Sequence, residues 1–471
     1  MSIRFHLNGE LNQESSISPS TTVLDYLRLV QMATGTKEGC AEGDCGACSI
    51  VLHSLDDNNK PRYEVVNSCL LLLSQIDGAN LITVEGLGSN GVLDIVQEAM
   101  VEKGGTQCGF CTPGFVMSLY SLRQTSNKTL DDDSIHDALA GNLCRCTGYR
   151  PIVEAAYQAC ASGPTDDFSD LEVLKVTEEQ QFADELAFSP TSLDELLRLK
   201  INYPDGLLLA GGTDLGLRAS KNRERFKVII HTGHVAELTK IEETDDTLEI
   251  GAAVTYSESL ESITRAYPSF GRLITRIGSR QIRNMGTIGG NIGTASPIGD
   301  TLPCLVSLNA SFEIVSQGSS RLERAEDFFI DYRETSLNPK EIIKKIKLPK
   351  LQKNQRFRVY KISKRYDQDI SSVVAAFLIE IENDVVTGFR ATFGGMAAIP
   401  KRASECEKVL LGKEWSEENM LMVSKAVEKD FVPLSDHRAS SNYRLKVAAN
   451  LFLRLYRDLS DQEELLEVVA V

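Results

Sequence analysis

The alternation of apolar and polar positions changes its period along the chain, and each change marks a different kind of element. IRFHLNGE (3–10) alternates like a half-buried strand and ends in Asn-Gly, the pair that closes tight hairpins. TTVLDYLRLV (21–30) has helical spacing, while SIVLH (49–53) and YEVVNSC (63–69) read as short strands. Helices follow. GFVMSLYSL (114–122) and IVEAAYQA (152–159) each sit behind a proline, Pro113 or Pro151, at a first-turn position where the missing N–H costs nothing. Between them DDDSIHDALAG (131–141) opens on aspartates and stops at glycine, the marks of a further short helix.

SGPTDDFSDLEVLKVTEE (162–179) is acidic and lacks apolar periodicity, so it reads as a linker. Beyond it the pattern turns α/β: GLLLAGGTDLGL (206–217) is a buried strand entering a glycine-rich turn, and NMGTIGGNIGTASPIGD (284–300) is a second such loop. From about Phe357, YKISKRYDQDISSVVAAFLIEIEN and VTGFRATFGGMAAIP alternate as antiparallel strands, and helices are expected near EENMLMVSKAVEKD and YRLKVAANLFLRLYRDL. A chain of 471 residues is too long for one ordinary core. The expected division is 1–86, 87–162, a linker over 163–180, 181–352 and 353–471.

Composition narrows the class. With 42% apolar and 25% charged residues the chain is a soluble globular protein, and its formal charge of −16 argues against nonspecific nucleic-acid binding. The N-terminus lacks the basic and apolar regions of a signal peptide, and the greasiest run, CLLLLSQI, is too short to cross a bilayer. A cytoplasmic location is expected, where thiols stay reduced. Eleven cysteines in that setting point to metal or redox chemistry before disulfides.

Eight of the eleven lie in two groups before residue 150. Cys40-x4-Cys45-x2-Cys48, then Cys69, has the plant-type ferredoxin spacing for a 2Fe–2S cluster. Gly39, Gly43, Gly46 and Ala47 let backbone amides approach sulfur closely. Zinc, the alternative, usually takes paired C-x2-C knuckles. The second group is Cys108-x2-Cys111 (QCGFCTPG) and Cys144-x-Cys146 (NLCRCTGYRP), each half leading into a helix N-terminus that favours an anionic centre. Its spacing alone leaves zinc and iron–sulfur both open.

The glycine-rich loops at 206–217 and 284–300 fit neither Walker A nor the dinucleotide fingerprint, yet bare amides with Thr213, Thr287 and Asn291 suit phosphate cradling. GLGSNG (86–91) is a literal G-x-G-x-x-G, but the acidic residue such a site needs about 20 positions on is replaced by the second cysteine group, so a connecting turn is the expectation. Cys160, Cys304 and Cys406 are isolated thiols. Among six scattered histidines, the close pair His231/His234 reads as a surface feature.

The ordered motifs C-x4-C-x2-C…C, QCGFCTPG and GNLCRCTGYRPI, followed by AGGTDL and TIGGNIGTASPIGD, resemble the molybdenum hydroxylases, the xanthine dehydrogenase and aldehyde oxidase family. The resemblance implies a multidomain α+β protein: a β-grasp plant-type ferredoxin domain, a helical 2Fe–2S domain, a non-Rossmann α/β FAD domain of the vanillyl-alcohol-oxidase-like type, and a C-terminal α+β flavoprotein domain. By the same resemblance Cys40, Cys45, Cys48 and Cys69 hold one 2Fe–2S cluster and Cys108, Cys111, Cys144 and Cys146 the other. FAD would be lined by Leu208, Leu209, Ala210, Gly211, Gly212, Thr213, Asp214 and Leu215, and by Thr287, Ile288, Gly289, Gly290, Asn291 and Asp300. Ile277, Ile343 and Lys361 fall where relatives touch the flavin, although Ile277 replaces an aromatic cover. Tyr332 falls where family dehydrogenases receive nicotinamide, with a buried structural tyrosine as the plain alternative. At the facing acidic position this chain has Gln368, and no role is carried over to it.

No molybdopterin-binding region is recognisable before Val471, so the arrangement resembles the small subunit of bacterial xanthine dehydrogenases. That implies a large molybdopterin-binding partner docked near Gln107 to Cys146, two small and two large subunits, and electron relay through both clusters and FAD to NAD+ in hypoxanthine and xanthine oxidation. The same kind of subunit serving an aldehyde or N-heterocycle, and a stand-alone NADH-dependent iron–sulfur flavoprotein, are the alternatives. A zinc-stapled interaction protein is the third.

Overall fold

The computed structural model describes residues 2–55, 60–88, 91–125, 130–165, 168 and 174–460. Part of the expected linker, Ser89 and Asn90 of GLGSNG, and the last residues of the C-terminal part lie outside these. The chain divides into two units: residues 1–235 with 278–286, and residues 236–277 with 287–471.

In the first unit, Ile3–Leu7 pairs antiparallel with Glu10–Glu14 and parallel with Asn80–Ile82; Ser49–Leu55 and Pro61–Asn67 complete a five-stranded sheet. The hairpin turn is Asn8-Gly9, both at positive φ as a two-residue turn of this hand requires. Inward-facing Ile3, Phe5, Ile50, Val66 and Leu81 meet Val23, Tyr26 and Leu27 in one core. The expected helix at 21–30 is α-helical only over Val23–Asp25, capped by Thr22, and widens to a π-turn over Tyr26–Val30.

Four helices follow: Ile95–Glu102, Thr112–Thr125, Asp132–Leu139 and Arg150–Ala161. Asp131 caps the third by accepting the Ser134 N–H, and Pro151 occupies the first turn of the fourth. Phe115, Leu119, Tyr120, Ile135, Ile152 and Ala156 form their common core. A second sheet, in the order Glu179–Phe182, Glu185–Phe188, Val228–His231, Leu207–Leu209, has its last three strands parallel.

The second unit holds two larger antiparallel sheets, besides the small antiparallel pair Phe329–Asp331 and Glu334–Thr335. One runs Ile241–Glu243, Thr247–Gly251, Ile342–Pro349, Ser311–Ser316, Ser319–Arg324. The other is a meander of Gln355–Ile362, Val373–Glu382, Val385–Gly394 and Lys401–Arg402. The helices Ser404–Leu410, Glu417–Asp430 and Ser441–Leu459 share a core with this meander, in which Phe377 is ringed by Phe389, Phe393 and Phe452. Burying each such ring contributes about 1.5–3 kcal/mol. Among the described residues no helix is long and apolar enough to cross a membrane.

Candidate functional site

The first cysteine loop is built by backbone amides crowding sulfur. Glu42, Asp44 and Cys45 donate their N–H groups to Cys40 Sγ at 3.4, 3.3 and 3.3 Å, and Cys40 N–H donates to Cys45 Sγ at 3.3 Å. A Cβ on Gly39 would stand 2.7 Å from Cys45 Sγ, and Ala41, Gly43 and Gly46 adopt positive φ. The Cys45 thiol, followed by those amides, brings the Cys40 thiol down to about 5. Cys45 is pushed up by the same bond. Cys48 and Cys69 are buried free thiols that share a hydrogen bond, which holds Cys48 low and Cys69 high. Asn67 Nδ2 ties the loop by donating to the Gly43 carbonyl at 3.0 Å.

The second set is more open: Cys108 and Cys146 are exposed, Cys111 and Cys144 half-buried. The Phe110 N–H, with the Cys146 thiol, lowers Cys108; burial lifts Cys111 to about 12. Burial also pushes Cys144 upward, but the Thr147 hydroxyl, 3.2 Å from its sulfur, and nearby N–H groups bring it below its ordinary value. Tyr149 holds a positive φ of 67° and accepts the Cys144 N–H at 2.9 Å. Both loops thus suit thiolates supported by amide and hydroxyl donors. Among the described residues no three His, Cys, Asp or Glu side chains are arranged to hold a single metal ion.

The two loops meet. Leu143 N–H donates to the Cys45 carbonyl at 3.0 Å, and Asn142 Nδ2 donates to the Gly46 carbonyl at 3.1 Å. Any Cβ on Gly114 would collide with that Gly46 carbonyl.

On its other side the first loop touches the strand and helix that carry Leu208 to Leu215. Ser220 Oγ donates to the Ala41 carbonyl at 2.8 Å and Lys221 Nζ to the Cys40 carbonyl at 2.5 Å. Gly216 packs on the carbonyl of Leu70. Gly211 lies against the Met285 carbonyl, where no Cβ fits, and Gly212 has φ +75° beside Gln75. Gln75 Nε2 reaches the Ala210 carbonyl at 3.4 Å. His231 is also hydrogen-bonded to the backbone of Ala210. The close pair of histidines is therefore not the expected surface feature: His231 is buried, its ring centroid 4.9 Å from that of His234.

The remaining flavin candidates belong to the second unit. Thr287 caps the short helix Ile288–Thr294, its Oγ1 accepting the Gly290 N–H at 2.9 Å, and Gly289 abuts the Ala252 carbonyl with no room for a side chain. Asn291 Oδ1 accepts the Thr301 hydroxyl at 2.6 Å. Asp300 is joined to Lys361 Nζ at 2.7 Å and to the Ser371 hydroxyl at 2.6 Å. Ile343 is buried and Ile277 half-buried against the same core. Tyr332 is not the buried tyrosine of the plain alternative: it is 62% exposed on the turn after Phe329–Asp331. Cys160, Cys304 and Cys406 are all buried thiols.

Sequence reasoning missed Gln75 and Asn142, whose contacts with Ala210 and Gly46 span long stretches of chain. The one local hint was Asn142 standing two residues before Cys144.

Comparisons with known proteins follow the same order. Residues 5–74 match the 2Fe–2S iron–sulfur cluster binding domain, and 83–157 match a second [2Fe–2S] binding domain. Residues 180–351 match the FAD binding domain in molybdopterin dehydrogenase, and 358–459 the CO dehydrogenase flavoprotein C-terminal domain. Xanthine dehydrogenase 1 of Arabidopsis thaliana is 32% identical, aligned over 92% of this chain and 38% of its own length. Xanthine dehydrogenase of Emericella nidulans is 32% identical over 98% of this chain and 39% of its own. The chain thus spans about two-fifths of these relatives. Carbon monoxide dehydrogenase from Hydrogenophaga pseudoflava superposes with a TM-score of 0.54 at 25% identity, covering 57% of this chain and 94% of that one. Quinoline 2-oxidoreductase from Pseudomonas putida 86 shares the fold, with a TM-score of 0.54 at 22% identity over 59% and 98% of the two chains. With iron–sulfur, FAD-binding and flavoprotein modules all matched in order, the chain carries the electron-transfer domains of the molybdenum hydroxylase family.

Proposed function

We propose that the chain is the electron-transfer subunit of a xanthine dehydrogenase, of the small-subunit type found in bacteria. The observation that carries this reading is an unbroken series of contacts within the first unit. Leu143 binds Cys45 at one face of the first cysteine loop, while Ser220, Lys221 and Gly216 bind its other face beside the Leu208–Leu215 segment.

Cys40, Cys45, Cys48 and Cys69 would hold one 2Fe–2S cluster, and Cys108, Cys111, Cys144 and Cys146 the other. FAD would be held by Leu208 to Leu215, Thr287 to Asn291 and Asp300, with Ile277, Ile343 and Lys361 near the ring. When bound, these groups supply one-electron carriers and a flavin that passes two electrons to NAD+. The chain's own residues have simpler tasks. Amides of Glu42, Asp44 and Cys45 stabilise thiolate charge, and Gly211, Gly212 and Gly289 let the two flavin segments pack closely on the Met285 carbonyl, Gln75 and the Ala252 carbonyl. Exposed Tyr332 is available to stack on nicotinamide.

Substrate oxidation would belong to a large molybdopterin-binding partner in an assembly of two small and two large subunits. Phe110, Leu143 and Tyr149 are exposed around the outer cysteines, an apolar face suited to docking near Gln107 to Cys146. The carbon monoxide dehydrogenase chain that aligns over 94% of its length covers only 57% of this one, which supports modules distributed over separate chains. The division at 86, 162, 180 and 352 belongs to this reading. So does a cytoplasmic location, supported by eleven cysteines that are not in disulfides. The same subunit serving another N-heterocycle is the second reading, favoured by the shared fold of quinoline 2-oxidoreductase.

The test is metal and flavin content with reduced-state EPR on purified protein. About four irons and one FAD per chain with two distinct signals are expected. Zinc in place of iron, or absence of flavin, would overturn the reading.

A further inference from the structure

The chain leaves the second unit at Gly278 and returns to it at Thr287, and the excursion between carries a short helix, Arg280–Arg283. Gln281 on this helix is 1% exposed. Its Nε2 faces Asn142 Oδ1 at 3.0 Å, Ser49 Oγ at 3.2 Å and Ser118 Oγ at 3.2 Å, while its Oε1 has no hydrogen-bond partner among the described residues. Ser49 Oγ and Asn142 Nδ2 both donate to the Gly46 carbonyl, at 2.8 and 3.1 Å, and Ser118 Oγ donates to Asn142 Oδ1 at 2.7 Å. Arg280 and Arg283 anchor the helix by ion pairs to Asp137. Gly141 must lack a side chain, because a Cβ would collide with Gln281 Oε1.

A buried amide with an unmet oxygen is costly, and an apolar residue would pack there without that cost. The glutamine instead ties three stretches of chain: Ser49 beside Cys48, Ser118 on the helix after Cys111, and Asn142 two residues before Cys144. A buried network of this kind fixes one arrangement of its members. The arrangement fixed here places Leu143 N–H on the Cys45 carbonyl.

We propose that Gln281 is a positioning residue for electron transfer between the two cysteine loops, holding Asn142 and Ser49 so that the Leu143–Cys45 hydrogen bond keeps its geometry. The proposal rests on the relay reading. In the step concerned, Cys108, Cys111, Cys144 and Cys146 would hold the donor centre and Cys40, Cys45, Cys48 and Cys69 the acceptor. One electron supplied by the molybdenum partner would pass between them, reoxidising the donor and reducing the acceptor with no bond made or broken.

The test compares the unaltered protein with Gln281→Leu, which keeps the shape, and with Gly141→Ala, which displaces Gln281 without removing it. Two readouts are taken. Amide exchange at Leu143 should quicken about tenfold, the worth of one buried hydrogen bond, and needs no cofactor. Pulsed EPR of the doubly reduced protein should show an altered dipolar coupling between the centres, with each centre's own g-values and the iron and flavin content unchanged. Unchanged coupling in both variants overturns the proposal, whatever happens to exchange. Absence of two iron–sulfur signals in the unaltered protein would instead sink the relay reading; unchanged Leu143 exchange in either variant would then still dispose of Gln281 as a positioning residue.

Discussion

The backbone carbonyl of Leu70, one residue beyond Cys69, packs on Gly216 so tightly that no side chain fits between them. Gly216 lies in the first turn of the helix Leu215–Asn222, directly after the AGGTDL turn, so this contact joins the chain beside Cys69 to the flavin segment. Gly216→Ala should cost about 1–3 kcal/mol through overpacking, read as a lowered urea midpoint. It should also slow flavin reduction from the iron–sulfur side in stopped-flow mixing, and an unslowed rate would place the electron path elsewhere.

Cys45→Ser removes one ligand of the first set and leaves Leu208 to Leu215 in place. Iron should fall from about four to about two per chain. Flavin absorbance should persist, because no flavin candidate is supplied by the 40–48 loop itself. Loss of flavin with the iron would mean that the Ser220 and Lys221 contacts carry more of the flavin segment's stability than the fold suggests.

Lys361 and Asp300 are an ion pair whose side chains are only 2% and 9% exposed. Removing one partner strands the other charge in the core. Lys361→Ala is therefore expected to cost about 3–5 kcal/mol, measured by chemical unfolding of the intact chain. Lys361→Ala with Asp300→Ala should recover part of that loss. A double variant as unstable as the sum of the singles would show that the two side chains do not interact.

His231 adds a pH dependence. Burial, with His234 close by, pushes its imidazole down to about 3, below the value of about 6.5 in an unfolded chain. The folded protein thus binds fewer protons at this site than the unfolded one. Its contribution to stability is complete above about pH 6.5 and is lost as pH falls towards 3, at up to about 1.4 kcal/mol per pH unit. Unfolding curves between pH 7 and 5 should show this slope in the unaltered protein and a shallower one in His231→Gln. Equal slopes would mean that the ring is already charged in the fold.

Much of the architecture was readable because it rests on local rules. Asn8-Gly9 turned the first hairpin as its backbone preference requires, and the small residues of GCAEGDCGACS marked where amides must approach sulfur. Misreadings arose where tertiary packing overrode local pattern. The 21–30 segment has helical spacing, yet Tyr26 and Leu27 turn into the sheet core and the backbone widens to a π-turn to place them. His231 looked like a loop histidine because sequence does not reveal that a parallel strand neighbour, Leu209, would draw it under Ala210. Gln281 carries no local signal, since its partners all lie more than a hundred residues away. The reach of Gln75 to Ala210 is similarly distant, although its Oε1 also accepts the nearby Leu72 N–H.

The excursion of residues 278–286 into the first unit also governs how the protein can be taken apart. Both units are discontinuous in sequence. A protease nicking the backbone once, at Val235 or anywhere else, therefore cannot release one unit from the other as separate intact bodies. Three cuts, near 235, 277 and 286, are needed, and the middle one lies beside the buried Ser279 and Gln281. Truncations that aim to express the flavin region alone must decide what becomes of these nine residues, because their hydrogen-bonding partners are encoded in the first 142.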